Sequence, residues 1–116
     1  MSFGDYVRAR RELLRKEDRR FSVRQVAGRI GVEPSYLSKI ERDEQQPPSE
    51  AKIRLLAAEL GEDVDVLLAL AGKVSPDLKA AIIKRPQLFA QLIRQLNELP
   101  DRAVLRIVRE VRDGNW

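Results

Sequence analysis

A run of polar-tipped side chains between residues 35 and 42 is the part of this 116-residue chain best suited to bind another molecule. The run offers hydroxyl, ammonium and guanidinium groups, carried by Ser35, Tyr36, Ser38, Lys39 and Arg42. Leu37 and Ile40 interrupt it at helical spacing, so a helix here can be held by its apolar side while its polar side stays free. A helix of this kind can lie in the major groove of DNA, where such groups reach base edges and phosphates.

The rest of the sequence offers little for catalysis or metal binding. It contains no Cys and no His, which excludes disulfide bonds, Cys/His zinc sites and nucleophile pairs built on imidazole. Its carboxylates form no recognisable cluster for a site made of carboxylates alone. We therefore expect a protein that is not an enzyme and has no cofactor.

Positive charge is concentrated near the start of the chain. The formal net charge is +4, and residues 8–29 contain nine basic and three acidic side chains. An anionic partner would meet the protein there. A well-solvated helical surface explains the same charge, so charge alone does not decide between the two interpretations.

Helices must position these side chains, because nearly every segment has apolar residues at three- and four-residue spacing. We predict an all-α fold with helices over residues 3–18, 22–30, 34–42, 49–60 and 63–71. Three further helices are expected to start near Pro76, Pro86 and Pro100. In the first helix, the expected inner side carries Phe3, Val7 and Leu14, with Ala9 or Arg10 beside them.

The start and the end of the second helix are marked by local signals. Ser22 can cap it, Gln25 can close a capping box, and Phe21 can pack onto Val26. Gly31 tolerates the left-handed conformation that a tight turn into the third helix requires. These signals predict a helix-turn-helix at residues 22–43.

Residues 3–71 resemble the lambda-repressor-like helix-turn-helix family of the Cro/XRE type. The most specific matches are Val26-Ala27, Gly31-Val32, residues 35–42, Pro47, residues 55–61 and residues 65–68. The resemblance implies a five-helix DNA-binding domain over residues 1–72. The remaining residues, 73–116, are expected to form a C-terminal segment of two to three helices.

The resemblance also implies roles for individual residues in the second and third helices. Residues implied to face base edges are Ser35, Tyr36 and Lys39. Residues implied to contact phosphates are Arg24, Ser38 and Arg42. Two alternatives stay open, namely that Tyr36 is a half-buried packing residue and that Arg42 is simply solvated.

One implied contact is structural, and three features depart from the family pattern. A glutamate at Glu41 is implied to pair with Arg11 on the first helix. Val23 stands where the family commonly has a glutamine that touches a phosphate, and Asp43 stands where glycine is usual. The first helix is also expected to be long, and its basic residues 15–20 either reach the flanking DNA backbone or form a solvated end.

The C-terminal helices have apolar stripes that residues 1–72 do not obviously need. One stripe consists of Leu88, Phe89, Leu92, Ile93 and Leu96, and a second consists of Val104, Ile107, Val108 and Val111. We expect these stripes to form a homodimer interface, with the residues of the first stripe at its centre, since a single helix-turn-helix covers only half of a symmetric site. The alternative is that both stripes fold back on the core of the same chain.

The preferred hypothesis is a transcriptional regulator, a repressor that binds a palindromic operator in double-stranded DNA as a homodimer. A second hypothesis is an antitoxin, which represses its own operon and binds a toxin through its C-terminal helices. A third is a protein-interaction adaptor that keeps the fold but no longer reads DNA. With no membrane span of about 18 apolar residues and no signal peptide, we expect a cytoplasmic protein that joins the nucleoid when it is bound to DNA.

Overall fold

A computed structural model describes residues 1–114, and over that range the regular secondary structure is entirely helical. The α-helices are α1 (Phe3–Arg15), α2 (Val23–Ile30), α3 (Pro34–Glu41), α4 (Glu50–Leu60), α5 (Val64–Leu70), α6 (Pro76–Lys84), α7 (Pro86–Asn97) and α8 (Asp101–Asp113). The chain divides into two units, one of Met1–Ser75 and a second that begins at Pro76. The predicted all-α fold, with a helix-turn-helix followed by further helices, is confirmed.

Helix α1 is shorter than predicted, because it ends at Arg15 and not near residue 18. Asp18 adopts an extended conformation, with φ −148° and ψ 114°, and its carboxylate accepts a hydrogen bond from the N–H of Arg20. This cap starts a short 3-10 helix, Arg19–Phe21, that leads into α2. Of the basic residues after α1, Lys16 therefore lies in a turn, and Arg19 and Arg20 lie in this 3-10 helix.

The inner side of α1 also differs from the expectation. Ala9 is exposed and Arg10 is only half-buried, whereas Arg11 is buried. A charged residue takes the inner position because a carboxylate lies opposite it on α3, as described below. The other predicted inner residues behave as expected, since Phe3 and Val7 are buried and Leu14 packs against the core.

The core of the first unit is built from apolar side chains of α1 to α5. Its buried members are Phe3, Val7, Val26, Ala27, Ile30, Leu37, Ile40, Ile53, Leu56, Ala57, Leu60, Leu67 and Leu68. The predicted inner side of α3, with Leu37 and Ile40, is thereby confirmed. Helix α3 packs against α1 and α2, and α2 also packs against α4, so the position of α3 is fixed by its neighbours.

The turn between α2 and α3 forms as the sequence predicts at most points. The Ser22 hydroxyl accepts a hydrogen bond from the N–H of Gln25 at 3.2 Å, and Gly31 is left-handed with φ 75°. The N–H of Ser22 donates to the carbonyl of Arg19 at 3.2 Å, so the 3-10 helix replaces the second half of the expected capping box. The Nζ of Lys52 on α4 donates a hydrogen bond to the carbonyl of Ile30 at 2.8 Å, and this bond connects the turn to α4.

In the second unit, α6 and α7 pack against each other. Between residues 76 and 114 the structure contains no fully buried side chain. Several large apolar side chains of this unit are exposed, among them Leu88, Leu92, Ile93, Leu105 and Val108. The described part of this unit thus lacks an interior.

Among residues 1–114, no helix is both long and apolar enough to cross a bilayer.

Candidate nucleic-acid interface

Helix α3 has one buried side and one open side. Leu37, Ile40 and Glu41 are buried, whereas Ser35 and Lys39 are exposed on the open side. Pro34 occupies the first turn, where its missing N–H and fixed φ suit a helix start. The predicted separation of an anchored face from a free polar face is therefore present in the structure.

The three residues implied to read bases are not equally free. Ser35 and Lys39 are exposed and stand four positions apart, so they share one helix face. Tyr36 is half-buried and packs against the core of the first unit. Part of the Tyr36 ring therefore supports α3, and its contact with DNA stays a prediction that depends on the exposed remainder.

The three residues implied to contact phosphates differ in the same way. Arg24 is exposed at the second position of α2, and Ser38 is half-buried. Arg42 is exposed and forms an ion pair with Glu44, with Nη2 at 3.1 Å from Oε2. The hydrogen bond from Arg42 lowers the pKa of Glu44, so this carboxylate stays ionised and competes with any phosphate for Arg42.

A buried ion pair joins α1 to α3 and holds α3 in place. The Arg11 guanidinium donates from Nε to Oε2 of Glu41 at 2.7 Å and from Nη2 to Oε1 at 2.8 Å. The Arg11 Nη1 donates to the carbonyl of Phe21 at 3.1 Å, and Nη2 also donates to Glu12 at 3.0 Å. The hydrogen bond to Glu41 raises the pKa of Arg11 above its ordinary value, so Arg11 remains protonated. The structural role implied for this pair is confirmed.

A close approach of α1 to the end of α3 was not predicted from the sequence. A Cβ on Gly4 would collide with the carbonyl oxygen of Ile40 and would lie 2.7 Å from Oδ1 of Asp43. Asp43 adopts the left-handed conformation, with φ 59°, in the place where the family usually has glycine. The Ser2 hydroxyl donates to the Asp43 carboxylate at 2.9 Å and supports that conformation. The one sequence signal for this close approach was Gly4 itself, a glycine on the apolar side of an amphipathic helix.

A second unpredicted contact set involves Arg29, on the outer side of α2. Its Nε donates to Oε2 of Glu59 on α4 at 2.6 Å, and its Nη2 donates to the carbonyl of Arg20 at 2.6 Å. The guanidinium also lies over the Phe21 ring, 5.5 Å from the ring centroid. Arg29 thus links α2 to α4 and to the 3-10 helix, and we assign it to support of the fold.

The residues predicted to form a dimer interface lie on α7. Leu88, Leu92 and Ile93 are exposed, whereas Phe89 and Leu96 are half-buried within the second unit. The exposed three are accessible to a partner. The interface itself stays a prediction.

Together, the glycine turn between α2 and α3 and the open polar side of α3 define a helix-turn-helix protein. A family model described as "Helix-turn-helix domain" matches residues 2–70. The chain belongs to this helix-turn-helix family, and the match is consistent with the lambda-repressor-like type. Membership indicates a DNA-binding regulator whose partner is DNA. Comparisons with curated proteins and with solved structures find no match.

Proposed function

We propose that the chain is a sequence-specific transcriptional repressor that occupies a palindromic operator as a homodimer. The observation that carries this proposal is that α3 is fixed on one side by the core and exposed on the other. Its inner side is fixed by Leu37, Ile40 and the buried pair of Glu41 with Arg11, while Ser35 and Lys39 point away from the core with exposed side chains. A rigid helix with free hydroxyl and ammonium groups can hydrogen-bond to base edges in the major groove.

The second unit supports the homodimer. A unit of about 40 residues buries too little apolar surface to be stable on its own. The part described here buries no side chain fully and exposes Leu88, Leu92 and Ile93 on one helix. A second copy would offer the same surface, and a two-fold contact between copies would match a two-fold symmetric operator.

Selection from a pool of duplexes with a randomised centre tests both parts of the proposal. The full chain should enrich a half-site that recurs in inverted orientation, with centres about 34–36 Å or a multiple of that distance apart. A double variant, Ser35→Ala with Lys39→Ala, should fold normally and lose the enrichment, because both side chains lie outside the core.

Two outcomes would contradict separate parts of the proposal. Enrichment of a single half-site that does not recur would contradict both the palindromic operator and the homodimer. Binding without any enrichment would remove sequence specificity and leave only attraction to phosphates.

An antitoxin is the second candidate, and the exposed apolar residues of α7 are the observation that favours it. In this case another protein, and not a second copy, would cover Leu88, Leu92 and Ile93. A full chain that is monomeric in solution, with a toxin gene beside its coding sequence, would favour the antitoxin over the homodimeric repressor.

A further inference from the structure

The Glu33 side chain is exposed directly before α3 and has no partner in the described part of the protein. Glu33 precedes Pro34, the first residue of α3, and its carboxylate forms no hydrogen bond with the first turn of that helix. Within residues 1–114 it takes part in no ion pair either. Three acidic residues at the other end of α3 are engaged by side chains of the protein, namely Glu41, Asp43 and Glu44. The Glu33 carboxylate, in contrast, is available to a molecule outside the chain.

The backbone at Glu33 is held in one conformation by its neighbours. The helical region is disfavoured for a residue before proline, and Glu33 is extended, with φ −69° and ψ 140°. The carbonyl of Glu33 accepts hydrogen bonds from the N–H groups of Tyr36 at 3.0 Å and Leu37 at 3.2 Å, and Leu37 is buried in the core. The Glu33 side chain therefore starts from a fixed position, two residues before the exposed Ser35.

A carboxylate can distinguish the bases in the major groove, because it accepts hydrogen bonds and cannot donate them. Cytosine presents an amino group there, whereas guanine and thymine present acceptor atoms that repel a carboxylate. Adenine presents its amino group beside the acceptor N7, so it matches a carboxylate less well than cytosine does. The DNA phosphates also repel a carboxylate, so Glu33 adds nothing to the attraction between the protein and the DNA backbone.

We propose that Glu33 is a specificity-determining residue, which selects cytosine at one position of each half-site by accepting a hydrogen bond from the cytosine N4 amino group. The proposal rests on the proposed function and names one base of the operator. Lys39 stands six positions after Glu33, which corresponds to about 9 Å of helix. Base pairs are stacked about 3.4 Å apart, so the two residues read different base pairs. Their contributions to specificity should therefore be roughly additive.

A second role of Glu33 is compatible with its position. An acidic residue at the start of a helix stabilises that helix through the helix dipole. This role requires only a negative charge and does not depend on the sequence of the DNA. It predicts that removal of the charge changes stability and leaves the base preference as it was. The identity of the preferred base therefore separates the two roles.

Selection from a randomised duplex pool, performed with the full chain, tests the assignment of Glu33. The wild type is compared with Glu33→Gln, Glu33→Ala and Asp65→Asn. Asp65 is the matched control, because it is an exposed acidic residue in the first turn of α5, a helix to which no contact with bases is assigned. Each variant removes one negative charge from the start of a helix.

The wild-type half-site should contain one cytosine that Glu33→Gln replaces by adenine, because a glutamine amide can bond to both N6 and N7 of adenine. Glu33→Ala should lose the preference at that position and keep the preferences elsewhere. On duplexes that differ only at this base pair, the wild type should bind the cytosine duplex about fivefold more tightly, or more, than each of the other three. Asp65→Asn should keep the wild-type preference.

Failure of this assignment is distinguishable from failure of the proposed function. If the wild type enriches no sequence, the proposed function falls and the role of Glu33 falls with it. If the wild type enriches a half-site and Glu33→Gln changes no cytosine position in it, only the role of Glu33 is overturned. The same change in Asp65→Asn would also overturn that role, since the loss of one negative charge would then explain the result.

Discussion

Arg11 and Glu41 are joined by two hydrogen bonds across the interface of α1 and α3, although only 2% of the Arg11 surface and 4% of the Glu41 surface is exposed. Removing Arg11 leaves Glu41 as an uncompensated buried charge, and removing Glu41 leaves the buried Arg11 with the partly exposed Glu12 as its carboxylate partner. We expect Glu41→Gln or Arg11→Met to lower the free energy of unfolding by about 3–5 kcal/mol. Urea unfolding of the full chain, followed by circular dichroism, measures this change.

A paired replacement is the control for that experiment. Arg11→Met combined with Glu41→Leu removes both charges and keeps apolar volume, so it should recover most of the lost stability. A double variant as unstable as the sum of the single variants would contradict the view that the pair acts as one unit.

The close contact at Gly4 gives a second prediction about stability. Gly4→Ala should lower the free energy of unfolding by about 1–3 kcal/mol, because the new Cβ meets the Ile40 carbonyl and the helices must separate. Gly28→Ala is the matched control, since that glycine lies within α2 with nothing inside 4 Å of an added Cβ. It should stabilise the protein by up to about 1 kcal/mol through helix propensity. A Gly4→Ala variant as stable as Gly28→Ala would refute the close contact.

Lys39 and Arg24 are expected to act on DNA in different ways. Lys39→Ala should cost about 1–3 kcal/mol on the selected operator and little on random duplexes, because its loss removes a base contact. Arg24→Ala should weaken both by a similar factor, as expected for a phosphate contact. Fluorescence anisotropy on the two duplexes measures the ratio. Equal losses for Lys39→Ala on both would make it a phosphate contact.

The ion pair between Arg42 and Glu44 is expected to restrain DNA binding. Glu44→Gln removes the competing carboxylate, so Arg42 becomes available to a phosphate and the affinity for DNA should rise severalfold at low salt. Glu50→Gln makes the same change in net charge on α4 and should raise the affinity less. If both variants raise the affinity for DNA equally, the loss of the Arg42–Glu44 ion pair contributes nothing, and the change in net charge explains the effect.

The exposed leucines of α7 test the homodimer in the intact chain. Leu88 is 63% exposed and Leu92 is 47% exposed, so changing both to Glu should leave each chain folded and halve the mass measured by light scattering. Leu13→Glu is the control, because Leu13 is 54% exposed on α1 in the first unit. A double variant that remains dimeric would place the interface elsewhere, and a wild type that is already monomeric would exclude the homodimer.

Features that depend on local chemistry were predictable from the sequence. Ser22 and Gly31 act on backbone groups within a few residues of themselves, and they mark the two ends of α2 as expected. The buried residues of α4, from Ile53 to Leu60, likewise follow the three- and four-residue spacing of an amphipathic helix. The polar side of α3 was predicted for the same reason, because it follows from helical periodicity alone.

Features that depend on distant partners did not follow from helical periodicity, and only the family resemblance implied the pair of Arg11 with Glu41. Arg11 occupies the inner side of α1 only because Glu41, 30 residues away, accepts its hydrogen bonds, and periodicity therefore favoured its neighbours Ala9 and Arg10. In the sequence, Gly4 is only a residue of low helix propensity, and its close contact with the end of α3 appears only in the folded structure.

The absence of fully buried side chains among residues 76–114 affects how DNA binding depends on protein concentration. The first unit carries its own core, so its folding is independent of how many copies are present. Order gained by the second unit through a partner follows mass action and increases with the concentration of that partner. If the partner is a second copy, operator occupancy rises with the square of the amount of free chain. Such a regulator would turn a modest dilution of the protein into a sharp release of its DNA.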